Sequence, residues 1–241
     1  MQNYIQVFPG ISLFLGISTF ILGSIVASFL NVIAKSVPIG KNWYSRRSAC
    51  PHCQSKLTPR ELIPILSFLL QSGRCKSCGV KISSIYFLTE IAGGILFVLP
   101  FIFHGFSYSN FIQAWLFFSL LLTVTLTDIY YQLIPNKILI VFGVGLFLTG
   151  GNVVSALVGF SFFYGASMLG SFLFKKETIG GGDIKIFLLI GWVLPLQELF
   201  FAILIASSIA LVYVLSIGKN KAIPFAPFIA LGAIIAYLVS S

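Results

Sequence analysis

Acidic residues are almost missing from this chain. Its 241 residues include six Asp and Glu against 15 Lys and Arg, and all charged residues together make up 9%, where an ordinary soluble domain carries roughly 25%. Beside 58% hydrophobic residues, 25 Phe and a mean hydropathy of +1.01, that scarcity excludes a soluble globular class. It leaves an all-α, polytopic membrane protein. No basic stretch precedes the first apolar run, which continues to about residue 34. A cleavable signal would need one, so the run reads as an uncleaved first spanning helix. No Ser/Pro linker separates independent domains, and no internal repeat is visible.

Spanning segments need about 20 predominantly apolar residues, and the sequence offers eight stretches: about 10–34, 82–103, 111–128, 133–150, 152–174, 184–197, 199–217 and 222–240. The sixth is short, and residues 184–217 bending instead of crossing twice would leave seven. Nine of the basic residues (Lys35, Lys41, Arg46, Arg47, Lys56, Arg60, Arg74, Lys76 and Lys81) fall in one loop with Glu61 as its lone acid. Next to spanning helices, such a cluster points to cytoplasmic retention and anionic lipid head groups, and no direct nucleic-acid binding is expected. Strict alternation then places Lys137, Lys175, Lys176, Lys185, Lys219 and Lys221 on or near the same cytoplasmic side. The opposite loops near 104–110, 150–151 and 195–198 hold no Lys or Arg, and both termini fall outside. The expected organisation is residues 1–34 as the first transmembrane segment, 35–81 as a basic cytoplasmic loop, and 82–241 as a transmembrane core that also packs with the first helix.

Against so few acids, Asp128 and Asp183 stand out. Each ends a long apolar run beside a helix-breaking sequence, "TLTDIYYQLIPNK" and "TIGGGDIKIF". Carboxylates at membrane boundaries are costly without hydration or a partner. If both face one cavity they have the ingredients of an aspartic protease dyad, two carboxyls sharing one proton. The plainer alternative is that each caps a helix or faces cytoplasmic water. Gly180, Gly181 and Gly182 read as a mobile segment presenting Asp183, with unusual dihedrals open to them. No Walker lysine-serine follows them, so nucleotide hydrolysis is unsupported. Pro135 reads as a helix break, Asn136 as a turn residue and Lys185 as an interfacial charge able to neutralise the pocket.

All four cysteines lie in the basic loop as "CPHC" and "CKSC": Cys50, Cys53, Cys75 and Cys78, with two residues inside each pair and 21 between pairs. Two such knuckles complete a tetrahedral site, and structural zinc is the leading reading. Two disulfides and a thioredoxin-like redox pair are the competitors; a reducing cytosol disfavours the first. His52 reads as a surface or outer residue, and Gly73 and Gly79 bracket the second knuckle to allow its tight path.

In order along the chain, "GSIVASFLNVIAKSVP" (23–38), "CPHCQSKLTPRELIPILSFLLQSGRCKSCGVKISSIYFLTE" (50–90), "DIYYQLIPNK" and "GGGDIK" resemble the motifs of the type IV prepilin peptidases, a family of membrane aspartic proteases. The resemblance covers almost the full length. It implies cleavage of a short basic leader from type IV prepilin or pseudopilin precursors at the cytoplasmic face of the bacterial inner membrane. It also implies methylation of the new N-terminus with S-adenosylmethionine. The family's catalytic aspartates fall on Asp128 and Asp183, and its metal-binding cysteines on Cys50, Cys53, Cys75 and Cys78. Peptide hydrolysis itself needs no metal. One departure is Ser36, where the family commonly has Arg two residues before the proline. Lys35 alongside supplies charge without the planar fork of Arg.

Asn31, Lys35, Glu90 and Lys185 are the candidate substrate or cofactor pocket. For Asn31, helix–helix adhesion is an equal reading; for Glu90, pairing or an ordering role is favoured over direct chemistry. Competing functions are a preflagellin-type peptidase without methylation, a proton-coupled transporter and an inactive scaffold. Both acids at one boundary and the lack of an inverted repeat weigh against transport.

Overall fold

The computed structural model of the chain describes residues 9–42, 48–104, 108–175, 179–217 and 223–239. The basic residues Arg46, Arg47, Lys176, Lys219 and Lys221 lie outside them. The described secondary structure is helical apart from two isolated antiparallel bridges. The chain divides into two compact units, residues 1–106 and 107–241.

In the first unit, helix α1 (Pro9–Ser36) packs along α3 (Ser84–His104). The contact is close because its residues are small. A Cβ on Gly93 would collide with Ala27, and one on Gly94 would come 2.7 Å from the Ser24 hydroxyl. Small residues let backbones approach where lipid gives helices no hydrophobic reason to associate. Between the two helices the chain forms the cysteine loop, a 3₁₀ turn (Pro59–Leu62) and the short α2 (Leu66–Leu70).

The second unit is built on α4 (Tyr108–Tyr131), followed by α5 (Asn136–Leu148), α6 (Val153–Phe174), α7 (Gly181–Val193), α8 (Leu196–Ile217) and α9 (Ala226–Val239). α4 is its axis: Phe117, Phe118, Leu120, Leu121 and Val124 are wholly buried. α5, α7 and α9 pack on it, α6 pairs with α7, and α8 pairs with α9. The outer faces carry exposed apolar side chains, among them Val141, Phe172, Leu204 and Val212, as surfaces solvated by lipid require.

Among the described residues, five helices are long and apolar enough to cross a membrane: Leu13–Ser36, Ser84–Phe103, Phe111–Tyr131, Val153–Phe174 and Leu196–Ser216. Of the other expected segments, 133–150 and 222–240 contain the short helices α5 and α9, and 184–197 overlaps the short α7, which begins earlier, at Gly181. At 1.5 Å per residue, their 13 or 14 residues reach about 20 Å, short of the roughly 30 Å hydrocarbon core. Eight full-length crossings are therefore replaced by five long helices and three short ones. The break between α7 and α8 falls at Leu194–Pro195, as expected where a proline disfavours the helical conformation of the residue before it.

Candidate peptidase site and cysteine centre

Helix α4 runs past Asp128 to Tyr131. It ends because Gln132 turns into the left-handed region (φ 50°), its N–H returning 2.8 Å to the Asp128 carbonyl. Asp128 therefore lies one turn inside the helix and not at its end. Its side chain is 8% exposed, and its Oδ2 accepts the Ala226 N–H at 2.8 Å. The Phe225 N–H is directed at the same carboxyl. α9 begins in "IPFAPF" with no Ser, Thr, Asp or Asn at hand to cap it. A carboxylate from 98 residues earlier does that work. The missing cap between two prolines is the one sequence signal of this contact, and reading the motifs singly overlooks it.

Asp183 is the third residue of α7, whose N-cap is Gly180 at φ −64°, ψ 139°. Gly181 and Gly182 are the first two residues of the helix, and none of the three glycines has positive φ. The expected mobile segment with unusual dihedrals is thus the first turn of a helix. What demands glycine at 182 is proximity: a Cβ there would stand 2.7 Å from the Ile134 Cβ. Three residues on, Lys185 Nζ donates to Asn136 Oδ1 at 2.9 Å. These two contacts fasten the start of α7 to the turn that follows α4. Asp183, one residue beyond Gly182, is thereby tied to the turn that begins at Gln132, four residues after Asp128.

In the first unit the two knuckles are near copies. Gln54 N–H bonds Cys50 C=O and Gly79 N–H bonds Cys75 C=O, at 2.9 and 2.8 Å. Gln54 and Gly79 both have positive φ (57° and 69°), and Gly73 has φ 64°. Bridges Ala49–Lys56 and Arg74–Lys81 close the base of each knuckle. All four Sγ atoms lie within 4.8 Å of one another, with Cys50–Cys78 at 3.9 Å and Cys53–Cys75 at 4.0 Å. The thiols are free, and these separations far exceed a disulfide bond of about 2.05 Å. They match the S···S edge of about 3.8 Å in a tetrahedron with metal–sulfur bonds of about 2.3 Å. The thiols are already unequal. Hydrogen bonds from Ser55, side chain first and then backbone, hold Cys53 down at about 6. Cys78, although lowered by the Val80 backbone N–H, is pushed up to about 12 by burial and its neighbouring sulfurs. This cluster can hold a metal ion. His52 is exposed and lies outside the set.

The remaining candidates are placed separately. Asn31 is fully buried and donates to Thr89 at 2.9 Å, the adhesive role between α1 and α3. Lys35 Nζ lies 3.8 Å over the Tyr86 ring, a cation–π contact. Glu90, 8% exposed, accepts the Ser28 hydroxyl at 2.8 Å and the Ile65 N–H at 2.7 Å. Ile65 has φ 64°, a strained state for a β-branched residue, so Glu90 pins the turn of the "LIPIL" segment onto the helix pair. A cavity of about 480 Å³ opens beside it, lined by Ser28, Glu61, Phe68, Tyr86 and Glu90 among others.

Comparison with known proteins bears on the whole chain. Residues 21–104 match the Bacterial Peptidase A24 N-terminal domain and residues 115–215 the Type IV leader peptidase family. A prepilin leader peptidase/N-methyltransferase of Bacillus subtilis is 42% identical over 235 residues, covering 91% of this chain and 92% of the relative. The chain belongs to the type IV prepilin peptidase/N-methyltransferase family. The type 4 prepilin-like proteins leader peptide-processing enzyme of Escherichia coli O78:H11 is 32% identical across 88% of this family member and 89% of its own length. The Neisseria gonorrhoeae prepilin leader peptidase/N-methyltransferase is 30% identical across 86% and 84%. No solved structure matches the chain. The two family matches fall one on each compact unit, with both aspartates in the second and all four cysteines in the first.

Proposed function

We propose that Asp128 and Asp183 are the hydrolytic pair with which this prepilin leader peptidase/N-methyltransferase removes the basic leader of type IV prepilin-like precursors. The observation that supports the reading is that Gly182–Ile134 and Lys185–Asn136 fasten the first turn of α7, which carries Asp183, to the turn just beyond Asp128. Two carboxyls so close resist joint ionisation and hold one proton between them. One then accepts a proton from water while the other donates, and water attacks the scissile carbonyl directly, with no acyl-enzyme. Residues 107–241 form the peptidase core.

The eight-segment topology, with the short helices completing the crossings, puts the basic loop and both aspartates on the cytoplasmic side by the positive-inside bias. An inner-membrane client with a cytosolic leader and an apolar helix meets the pair there. The enzyme's own positive loop repels a basic leader, so anionic lipid or another surface receives it.

The four cysteines hold one structural zinc, which the sulfur separations support. For the methyl donor, S-adenosylmethionine, the first-unit cavity fits. Its volume lies within the roughly 300–1,000 Å³ of small-ligand sites. Tyr86 and Phe68 line it with aromatic rings of the kind that pack against a purine, and Glu61 adds a carboxylate of the kind that binds ribose hydroxyls. When bound, this cofactor supplies an electrophilic methyl group to the new N-terminal amine. Glu90 shapes the wall through Ile65 and Ser28. Asn31 has a structural role, while Lys35 bears on the cavity through Tyr86.

The test is single-turnover cleavage of a cognate prepilin by purified Asp128→Asn and Asp183→Asn, with folding and zinc content checked separately. Loss of acid–base catalysis typically costs about 10²–10⁴-fold. Wild-type cleavage by either folded variant would rule out the pair. Mass spectrometry of the wild-type product should show an N-terminus heavier by about 14 Da, a CH₃ in place of one hydrogen.

A further inference from the structure

The paired reading leaves both aspartates eligible for either role, and the surroundings of the two carboxyls break that symmetry. We propose that the backbone N–H of Ala226 is a positioning group of the peptidase site, fixing Asp128 as the carboxylate that takes the proton of water and leaving Asp183 as the donor. The proposal rests on the paired-aspartate reading above.

The contact is buried at both ends: Asp128 is 8% exposed and Ala226 1%. It is short, 2.8 Å to Oδ2. The first turn of α9 has few donors to give. Pro227 has no N–H, and those of Phe228 and Ile229 return to the Phe225 carbonyl at 3.0 and 3.2 Å. The Ala226 N–H points away from its own helix and onto Asp128, with the Phe225 N–H directed at the same carboxyl. N–H donors favour the ionised form, and so does the positive end of a helix. Asp183 sits in the first turn of α7 and feels that helix's field too, so the helix ends alone do not separate the pair. The direct N–H bond does: among the described residues no N–H or O–H donor meets the Asp183 carboxyl.

On this assignment the proton of water goes to Oδ1 of Asp128, the oxygen that the Ala226 N–H does not engage. The water oxygen bonds to the scissile carbon as its proton passes to Oδ1, while the Asp183 proton passes to the carbonyl oxygen. On collapse the C–N bond breaks, the proton on Asp128 goes to the leaving amine, and a hydroxyl proton of the intermediate returns to Asp183. The charged and titratable groups on the elements packed against α4 are Lys137 on α5, Asp183 and Lys185 on α7, and Tyr237 near the far end of α9. Of these, Lys185 is engaged with Asn136.

The decisive experiment removes the Ala226 N–H in two ways, one of which, the ester, also weakens the Phe225 carbonyl that accepts from Phe228 and Ile229, while the other leaves that carbonyl an amide. In full-length enzyme the Phe225–Ala226 amide is replaced by an ester, with lactic acid incorporated at 226. Ala226→Pro serves as a second donor-less variant, since proline suits the first helical position, and Ala226→Gly as a control that keeps the N–H. Prepilin cleavage in detergent is followed across pH. The donor-less enzymes should lose about 10–100-fold in kcat, the scale of a hydrogen bond to a charged group, with KM within about twofold. Their acid limb should move to higher pH by about 1–2 units. Ala226→Gly should behave as wild type. A wild-type kcat and profile in both donor-less variants overturns the proposal, as does an equal loss in Ala226→Gly. A shift of the alkaline limb instead reverses the roles and overturns it too. Asp128→Asn and Asp183→Asn run in parallel keep the two ideas apart: if either cuts normally the pair itself is wrong, whereas inactive Asn variants beside a normal ester variant refute only the Ala226 assignment.

Discussion

Substituting Gly182 with alanine adds one methyl group and no charge, so it tests whether geometry at the start of α7 sets the rate. The new Cβ would stand 2.7 Å from the Ile134 Cβ and 3.3 Å from two further Ile134 carbons. Carbon atoms pack at about 3.5–4.0 Å, so α7 and the turn at residue 134 must separate by about 1 Å. Asp183 is the next residue along and moves with the helix, while Asp128 is held by α9. A misplacement of that size costs about 10²-fold in rate. Overpacking that is not relieved costs about 1–3 kcal/mol of stability. Gly181→Ala is the matched control, because a Cβ there meets nothing within 4 Å. Single-turnover cleavage by both variants, with thermal melts alongside, should show Gly182→Ala slowed about 10²-fold and Gly181→Ala close to wild type. The clash is with a Cβ, so Ile134→Gly should restore part of the rate to Gly182→Ala and Ile134→Ala should not. Equal losses at 181 and 182, or a folded Gly182→Ala cutting at the wild-type rate, would refute the reasoning.

Three further outcomes follow from the first unit. Cys50→Ser or Cys75→Ser should lower zinc content by metal analysis and raise amide exchange across residues 50–78, while leaving much of the peptidase rate in place; stable absence of zinc from the reduced wild-type protein would sink the metal assignment. Glu90→Gln puts an amide where two donors converge, so equilibrium binding of S-adenosylmethionine should weaken about 10-fold, the cost of one buried unsatisfied group, with prepilin cleavage unchanged. Glu61 is held below its ordinary 4.5 by the Thr58 backbone N–H and then its hydroxyl. A depressed folded value means that this contribution is present above pH 4.5 and is lost as pH falls through the folded value beneath it. Amide exchange at residues 58–62 should therefore accelerate only in that acid range, and Glu61→Gln should abolish the pH dependence.

Much of the site's raw material was legible because membrane chemistry makes it conspicuous. A carboxyl in an apolar run is costly, so Asp128 and Asp183 stood out of a chain with six acids. Four thiols in two C-x-x-C pairs suit a metal ion, and the sulfur separations show a cluster able to hold one. Helix lengths were less legible, because hydropathy sees apolar runs and not the stops inside them. Gln132 ends α4 in a left-handed turn that its residue type does not announce, α5 and α9 fall short of the apolar stretches that contain them, and α7 starts ahead of its own, at Gly181. The glycines before Asp183 were misread for a related reason. A triplet suggests freedom, but the need at 182 is for room beside Ile134, and that neighbour is 48 positions away in the sequence. The Ala226–Asp128 bond lies further still from sequence reading. It joins a backbone donor to a side chain 98 residues apart, and a backbone donor leaves no mark on residue identity. The uncapped start of α9 is its only trace. A short apolar helix with no polar residue to cap it therefore has to find its acceptor elsewhere, and in this chain it finds Asp128, one of the two acids proposed as the hydrolytic pair.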